Sequence, residues 1–295
     1  SADAEGAMHG SAAYERGSFS SDHWTGSLSG GLAKKFDYAL TTDQYRSTGE
    51  FINDAFRMTS GTASVGYAFS DATRMRAVVR SLDAYTGDPG QTYYGLYNRD
   101  AHSADRDIAA GLKLDDARGN RYTQSATFAY HRYHDIFTDS TSESYKLGAV
   151  VSNVGAFRYL TSLLPGSGAT VTVFSGGGET LTDRWSGGYR GSLSQHGGAL
   201  TFGYEFENQA GTISKQDVDR QDNGFYAHEQ YAVNSWMSLT AGLRVQHSSR
   251  FGTETSPRGS VTFRLPASTF FHVSVGRGVK EPALIENYAR EAFYV

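Results

Sequence analysis

The chain has 295 residues and a formal net charge of −4, so no basic footprint marks it for nucleic acid. With 39% hydrophobic and 20% charged residues, it can fold as one large β-domain or as two ordinary domains. It has no cysteine, which excludes a disulfide framework and thiol chemistry. Glycine (34), tyrosine (19) and phenylalanine (17) are abundant while proline (5) is scarce, a composition suited to long strands joined by turns. No apolar run reaches the length of a membrane helix; Tyr145 to Phe174 is broken by Lys146, Arg158 and Pro165. SADAEGAMHG at the start lacks the charged and apolar regions of a signal peptide. Two readings follow: a soluble protein, or a membrane barrel given without its export signal. A barrel hides its hydrophobicity by alternation, so the negative mean hydropathy is compatible with it.

In chain order, Met8 to Gly17 alternates weakly. Trp24 to Ala33 and Phe36 to Tyr45 flank Lys34 and Lys35 and read as a tight hairpin. Ala63, Val65, Tyr67 and Phe69 alternate with Ser64, Gly66, Ala68 and Ser70. A turn at 71–73 leads to Met75, Ala77 and Val79, opposed by Arg74, Arg76 and Arg80. Asp83 to Asp105 is polar and reads as a long loop carrying Tyr93, Tyr94, Tyr97 and Arg99. Ile108, Ala110, Leu112 and Leu114 resume the alternation before the turn DARGN at 116–120. Tyr122 to Tyr133 follows, then a predicted loop at 135–143 and an ambiguous stretch at 144–174.

Trp185 to Leu193 and Leu200 to Phe206 flank HGG at 196–198. A loop is predicted at 209–223, and a strand at Phe225 to Val233. The cleanest element is WMSLTAGLRVQ, Trp236 to Gln246. Met237, Leu239, Ala241, Leu243 and Val245 share one face, and Ser238, Thr240, Gly242, Arg244 and Gln246 share the other. Its length is about the nine to eleven residues of a tilted bilayer-crossing strand. A loop at 247–255 and two strands around Val261 and Val273 end the series.

Roughly fourteen to sixteen strands emerge, with no helical period and no dividing linker. Tight turns alternate with long polar connections, the asymmetry of outer-membrane barrels. Strand length and this asymmetry favour a transmembrane antiparallel up-and-down β-barrel over a soluble all-β array.

Three stretches resemble TonB-dependent outer-membrane receptors. GSAAYERGSFSSDHWTGSLSGG (Gly10 to Gly31) with FDYALTTDQYRSTG (Phe36 to Gly49) is similar to their first barrel strands. GFYAHEQYAVNSWMSLTAGLRVQHSSRFGTETSPRGSVTFRL (Gly224 to Leu265) is similar to later barrel hairpins, including the "GLR" and "SPR" segments. VSVGRGVKEPALIENY (Val273 to Tyr288) resembles the Gly-x-Gly strand end and Pro-containing loop that follow. The cobalamin and siderophore receptors are the nearest in character. The resemblance implies energy-coupled uptake of a scarce, bulky nutrient, an iron chelate or corrinoid, through a barrel of roughly 22 strands enclosing a plug. Neither a plug nor a TonB-contacting box precedes Ser1, and the chain stops at Val295 before the family's further strands. The expectation is a partial barrel domain over residues 1–295, without plug and closing strands, contacting outer-membrane lipid and reaching TonB through a plug absent from this chain.

Sites of chemistry are sparse. There is no Gly-x-Ser-x-Gly elbow. GRGVKE (Gly276 to Glu281) lacks the third glycine of a dinucleotide loop. His131 and His134 have metal-like spacing, but on a strand they point to opposite faces. Asp217, Asp219 and Asp222 fall in one predicted loop, yet the twelfth position from Asp217 is His228 rather than Glu, so the calcium-loop pattern fails and a solvated acidic loop is preferred. Arg74, Arg76 and Arg80 share one face and read as a polar lumen wall partnered by Glu205, Glu207 or a plug. Tyr93, Tyr94, Tyr97 and Arg99 are the candidate substrate-binding residues, offering flat amphipathic rings and a planar donor fork. A tyrosine-rich segment equally suits an interfacial girdle. No cofactor or resident metal is implied. The reading is therefore a transporter barrel and not an enzyme; the alternatives are a passive porin or structural barrel, and an outer-membrane enzyme for which no nucleophile and base are found.

Overall fold

A computed structural model describes residues 7–33, 35–92, 96–154, 157–165, 169–173, 175–213, 215–280 and 282. The elements are β1 (His9–Arg16), β2 (Asp22–Leu32), β3 (Phe36–Ser47), β4 (Phe56–Ala68), β5 (Thr73–Gly87), β6 (Gly90–Gln91), β7 (Leu96–Tyr97), β8 (His102–Arg118) and β9 (Tyr122–Asp139). They continue with β10 (Glu143–Val154), β11 (Phe157–Pro165), β12 (Ala169–Val173), β13 (Gly176–Gln195), β14 (Gly198–Ile213), β15 (Gln216–Ala232), β16 (Met237–Ser248), β17 (Gly252–Leu265) and β18 (Thr269–Gly276). Thirteen of these form one sheet in the order β1-β2-β3-β4-β5-β8-β9-β13-β14-β15-β16-β17-β18. Every neighbouring pair in that sheet is antiparallel. β10, β11 and β12 make a separate small sheet, and β6 pairs β7. Among the described residues, β1 and β18 are the two edges of the large sheet and do not pair with each other.

The all-β reading holds, and the tight turns fall near their predicted positions. At 233–236, Asn234 Oδ1 accepts hydrogen bonds from the N–H of Trp236 (3.0 Å) and Met237 (2.8 Å), a side-chain turn of the kind asparagine favours. At 266–268, a three-residue loop between the paired Leu265 and Thr269, Ala267 and Ser268 both have positive φ, 59° and 57°, the left-handed conformation that tight hairpin connections use.

Four predicted loops are largely strand. β5 runs on to Gly87 and β8 starts at His102, so the connection after Asp83 is shorter than read; β9 reaches Asp139; and β17 begins at Gly252. The stretch 209–223 is the end of β14 and the start of β15. All four lie at the ends opposite the tight turns, where both faces turn polar and the alternation that reveals a strand disappears.

The molecule has almost no interior of its own. Among the described residues, the buried hydrophobics are Ala84, Ala101, Ile213 and Val218. The large apolar side chains point outward instead: Leu112, Phe128, Trp185, Phe202, Phe225, Leu243 and Val273 are all exposed. They form a belt with a definite upper limit. On β8 the outward residues run Leu114, Leu112, Ala110 and Ile108, then Arg106; on β9 Ala126, Phe128 and Tyr130, then Arg132; on β13 Tyr189, Gly187 and Trp185, then Asp183. The first charged residues beyond the belt pair with one another, Arg106 with Asp83 at 3.0 Å and Arg132 with Asp183 at 3.2 Å. Three or four alternate side chains span roughly 13–20 Å of strand, most of the roughly 25 Å height of a barrel's lipid-facing band. β13 has 20 residues, about 65 Å of extended chain, so the wall rises well beyond that band.

This register fixes which substitutions lipid will tolerate. Leu243, 49% exposed, sits mid-belt between Ala227 and Pro257. Leu243→Arg should weaken folding into lipid vesicles by roughly 2–4 kcal/mol, the cost of a cation near the bilayer centre. Arg244→Leu alters the inward face and costs about 1 kcal/mol or less, because its ion pair with Glu205 is largely solvated. Equal shifts in a urea titration with vesicles would reject the register.

Candidate functional site

The inward face is built of small and charged residues, and its ion pairs cross the strands. Asp37 on β3, Gly66 on β4 and Arg76 on β5 are successive partners in one row. Arg76 Nη2 reaches Asp37 Oδ1 at 2.5 Å, and its Nη1 donates to Ser64 Oγ at 2.8 Å. A methyl group at position 66 would stand 2.4 Å from the Asp37 carboxylate and 2.7 Å from the Arg76 guanidinium. Glycine is therefore what lets this pair lie flat across β4. Glu205, Gly224 and Gln246 make a second such row. Arg244, two residues from Gln246 on β16, reaches over β15 to Glu205 at 2.7 Å.

Arg220 anchors the deepest part of this face. Its side chain is 9% exposed and lies 2.9 Å from Asp222 and 3.7 Å from Glu207. It also donates to the Pro282 carbonyl at 2.8 Å, so the segment after β18 turns in against the wall. Arg277, at its start, pairs with Glu254 at 2.7 Å. Arg220, Asp222, Glu207 and Glu254 help bound a concavity of about 620 Å³, within the range of small-ligand sites.

Between β5 and β8, at the strand ends opposite the tight turns, the connection 88–101 is tied down by asparagines. Asn98 is buried, donates to Asp139 Oδ2 at 2.9 Å, and accepts from the N–H of Asp100 (3.1 Å) and Ala101 (2.8 Å). Asn53 Nδ2 donates to the carbonyls of Asp88 (3.0 Å) and Ala101 (2.7 Å). Thr141 Oγ1 donates to Asp100 at 2.9 Å, and the Arg99 N–H donates to Glu143 at 3.0 Å. The end of the connection next to β8 is thus fastened both to β9 and to the start of β10.

Of the four candidate binding residues, Tyr97 is half-buried on β7 and Arg99 is exposed two residues further on. Tyr93 and Tyr94 lie outside the described residues. The latch residues Asn53, Asn98 and Asp139 were missed; only the Asn98-x-Asp100 spacing, which suits a side-chain turn, offered a signal.

The other candidates separate. His131 pairs with Asp107 on the inward face and His134 with Glu179 on the outward face, each at 2.8 Å. Asp217, Asp219 and Asp222 are not a loop. They lie on β15, where Asp222 meets Arg220 and Asp219 faces the other way, 2.8 Å from Arg250. Arg76 and Arg80 take Asp37 and Asp107 as partners, the latter at 3.7 Å. Glu205 and Glu207 instead serve Arg244, Arg184 and Arg220, because strand order sets them several strands away from β5.

Residues 37–294 match the family described as TonB dependent receptor-like, beta-barrel. No curated protein matches in sequence. Among solved structures, the siderophore receptor PirA from Acinetobacter baumannii superposes with a TM-score of 0.65 at 14% identity, over 95% of this chain and 44% of that one. PirA from Pseudomonas aeruginosa gives 0.64 at 12% identity, over 94% and 43%. The ferric-catecholate import receptor Fiu from E. coli K12 gives 0.64 at 8% identity, over 92% and 50%. At these identities the likeness is one of fold, and the chain spans about half the length of these structures or less.

Removing the latch should loosen the loop and spare the wall. Asn98→Ala leaves the buried Asp139 carboxylate without its donor, a local cost of about 1–3 kcal/mol. Hydrogen exchange over 88–101 should rise sharply, while β8 and β9 below Asp105 and Asp135 keep their protection. Unchanged exchange in the loop would show that the asparagine does not hold it.

Proposed function

This chain belongs to the TonB-dependent receptor β-barrel family, and on that premise we propose that it forms part of the wall of a receptor importing a bulky iron chelate. Its location is the bacterial outer membrane, and the family's members are transporters. The proposed reaction is movement of cargo without chemical change, driven by TonB acting through a plug that another part of the protein supplies. Residues 1–295 would contribute one arc of the barrel. The two unpaired sheet edges and the limited coverage of the similar structures support that reading.

The observation that carries the proposal is the charged concavity on the inward face. A passive pore needs only a polar lining. Here inward arginines and carboxylates surround a hollow of ligand size, and elsewhere on the same wall the 88–101 connection is fixed by buried hydrogen bonds. The similar structures whose names specify a cargo include siderophore, ferric-catecholate, ferric enterobactin and ferric citrate receptors or transporters, which favours an iron chelate over a corrinoid. Tyr93, Tyr94, Tyr97 and Arg99 are the proposed contacts: phenol rings cover a flat chelate and the guanidinium fork meets its anionic oxygens.

The test is uptake of radiolabelled ferric siderophore by cells making the complete receptor, with and without TonB. Uptake should require TonB. Tyr97→Ala with Arg99→Ala should weaken cargo binding by about tenfold, or roughly 1.4 kcal/mol, without lowering receptor abundance. Cargo entry that is indifferent to TonB would indicate a passive pore.

A further inference from the structure

Charge pairing is uneven along the inward face. Arg76, Arg220, Arg244 and Arg277 each have a carboxylate within 3 Å. Closer to the tight turns, Arg190 on β13 and Arg258 on β17 have no ion-pair partner among the described residues. They occupy adjacent register rows. The first row runs Arg190, Gly203, Tyr226, Arg244 and Ser256, and the second Thr201, His228, Gly242 and Arg258.

Glycines form the floor between these side chains. A methyl group at position 242 would lie 2.9 Å from His228 Cβ and 3.0 Å from Arg258 Nε, so the imidazole and the guanidinium flank one glycine. A methyl group at position 203 would lie 2.5 Å from the Tyr226 hydroxyl, so the phenol lies flat beside Arg190. A hollow of about 410 Å³ opens over them. His228 Nδ1 is buried with no hydrogen-bond partner among the described residues. Two unneutralised guanidinium groups and an unsatisfied ring nitrogen thus converge on one space. Forked N–H donors of this kind match the two oxygens of a carboxylate.

We propose that Arg190, His228 and Arg258 form a second binding station, for a carboxylate-type oxyanion on a small solute inside the lumen. It lies on the tight-turn side of the wall, away from the 88–101 loop at the opposite strand ends. The inference deepens the receptor reading, since the anion would be a group of the cargo met after the loop. A small solute fits better than an acidic protein segment, because the donors point into a compact hollow of ligand volume.

The experiment is calorimetric titration of citrate, as a tricarboxylate probe, into the purified complete receptor in detergent micelles at low salt. Wild-type protein should bind citrate, and Arg190→Gln with Arg258→Gln should weaken binding by about tenfold or more. Arg74→Gln removes an inward charge elsewhere on the wall and should leave binding unchanged. Arg190→Lys with Arg258→Lys keeps the charge but not the fork; it should retain partial binding, and it replaces the glutamine pair if that pair fails to fold. Three results would overturn the station: no binding by wild type, as when another segment fills the hollow; indifference to the paired substitutions; or equal loss with Arg74→Gln, the mark of diffuse charge. Citrate binding needs no TonB, so these results stand apart from the uptake assay, and failure of the station leaves the reading of TonB-dependent import standing.

Discussion

In hydrocarbon no water is present to satisfy a peptide group, so each N–H and C=O must find its partner within the protein. The continuous antiparallel ladder from β1 to β18 meets that demand, strand by strand. Once the ladder is set, the side-chain period of two leaves two surfaces and no thickness between them. That is why hydrophobic residues are plentiful here and yet hardly any is buried. Lipid takes the place of a core. The inward face is released from packing and becomes available for charge, space and ligands.

On that face, side-chain size governs electrostatics. Neighbouring strands stand about 4.8 Å apart, so a charge pair that skips a strand has to pass over the residue between. Gly66 permits this for Asp37 and Arg76, as Gly224 does for Arg244 and Glu205. The same device near the tight turns brings His228 and Arg258 together over Gly242. There, among the described residues, Arg190 and Arg258 have no ion-pair partner, and Glu205 on the same hollow is taken by Arg244; on the proposal above, the wall changes from a self-neutralised lattice into a surface that attracts anions. The two regions use one geometry and differ only in which residues lie across the glycine.

The belt was legible in the sequence because one face met lipid and the other water. Leu239 to Val245 against Thr240 to Gln246 is unambiguous, and the structure keeps that register. Beyond the belt the contrast vanishes. Gln216 to Gln221 is polar except for Val218, and Asp135 to Asp139 sets Ile136 and Phe137 on opposite faces; neither shows the alternation, and both read as loop although the ladder continues through them. The small sheet at 143–173 left no usable pattern. Within the site, loop tyrosines stood out by composition. The Asn98–Asp139 latch did not, because it joins residues 41 positions apart, and such a contact depends on strand order rather than on any local motif. The partners of Arg76 were misassigned for the same reason: Asp37 is two strands away in the sheet, while Glu205 and Glu207 are four.

Asp139, the last residue of β9, is the register partner of Gly176, the first of β13. The chain therefore leaves the sheet and returns to it at a single rung, with β10, β11 and β12 hung between. Lengthening, shortening or replacing this insert shifts no hydrogen bond in the wall, and loop-closure entropy grows only slowly with its size. Evolution is thus free to exchange the appendage as a unit while the lipid-facing frame stays fixed. A family of such proteins can diversify its external recognition by trading inserts at that rung, and a protein engineer can graft there on the same terms.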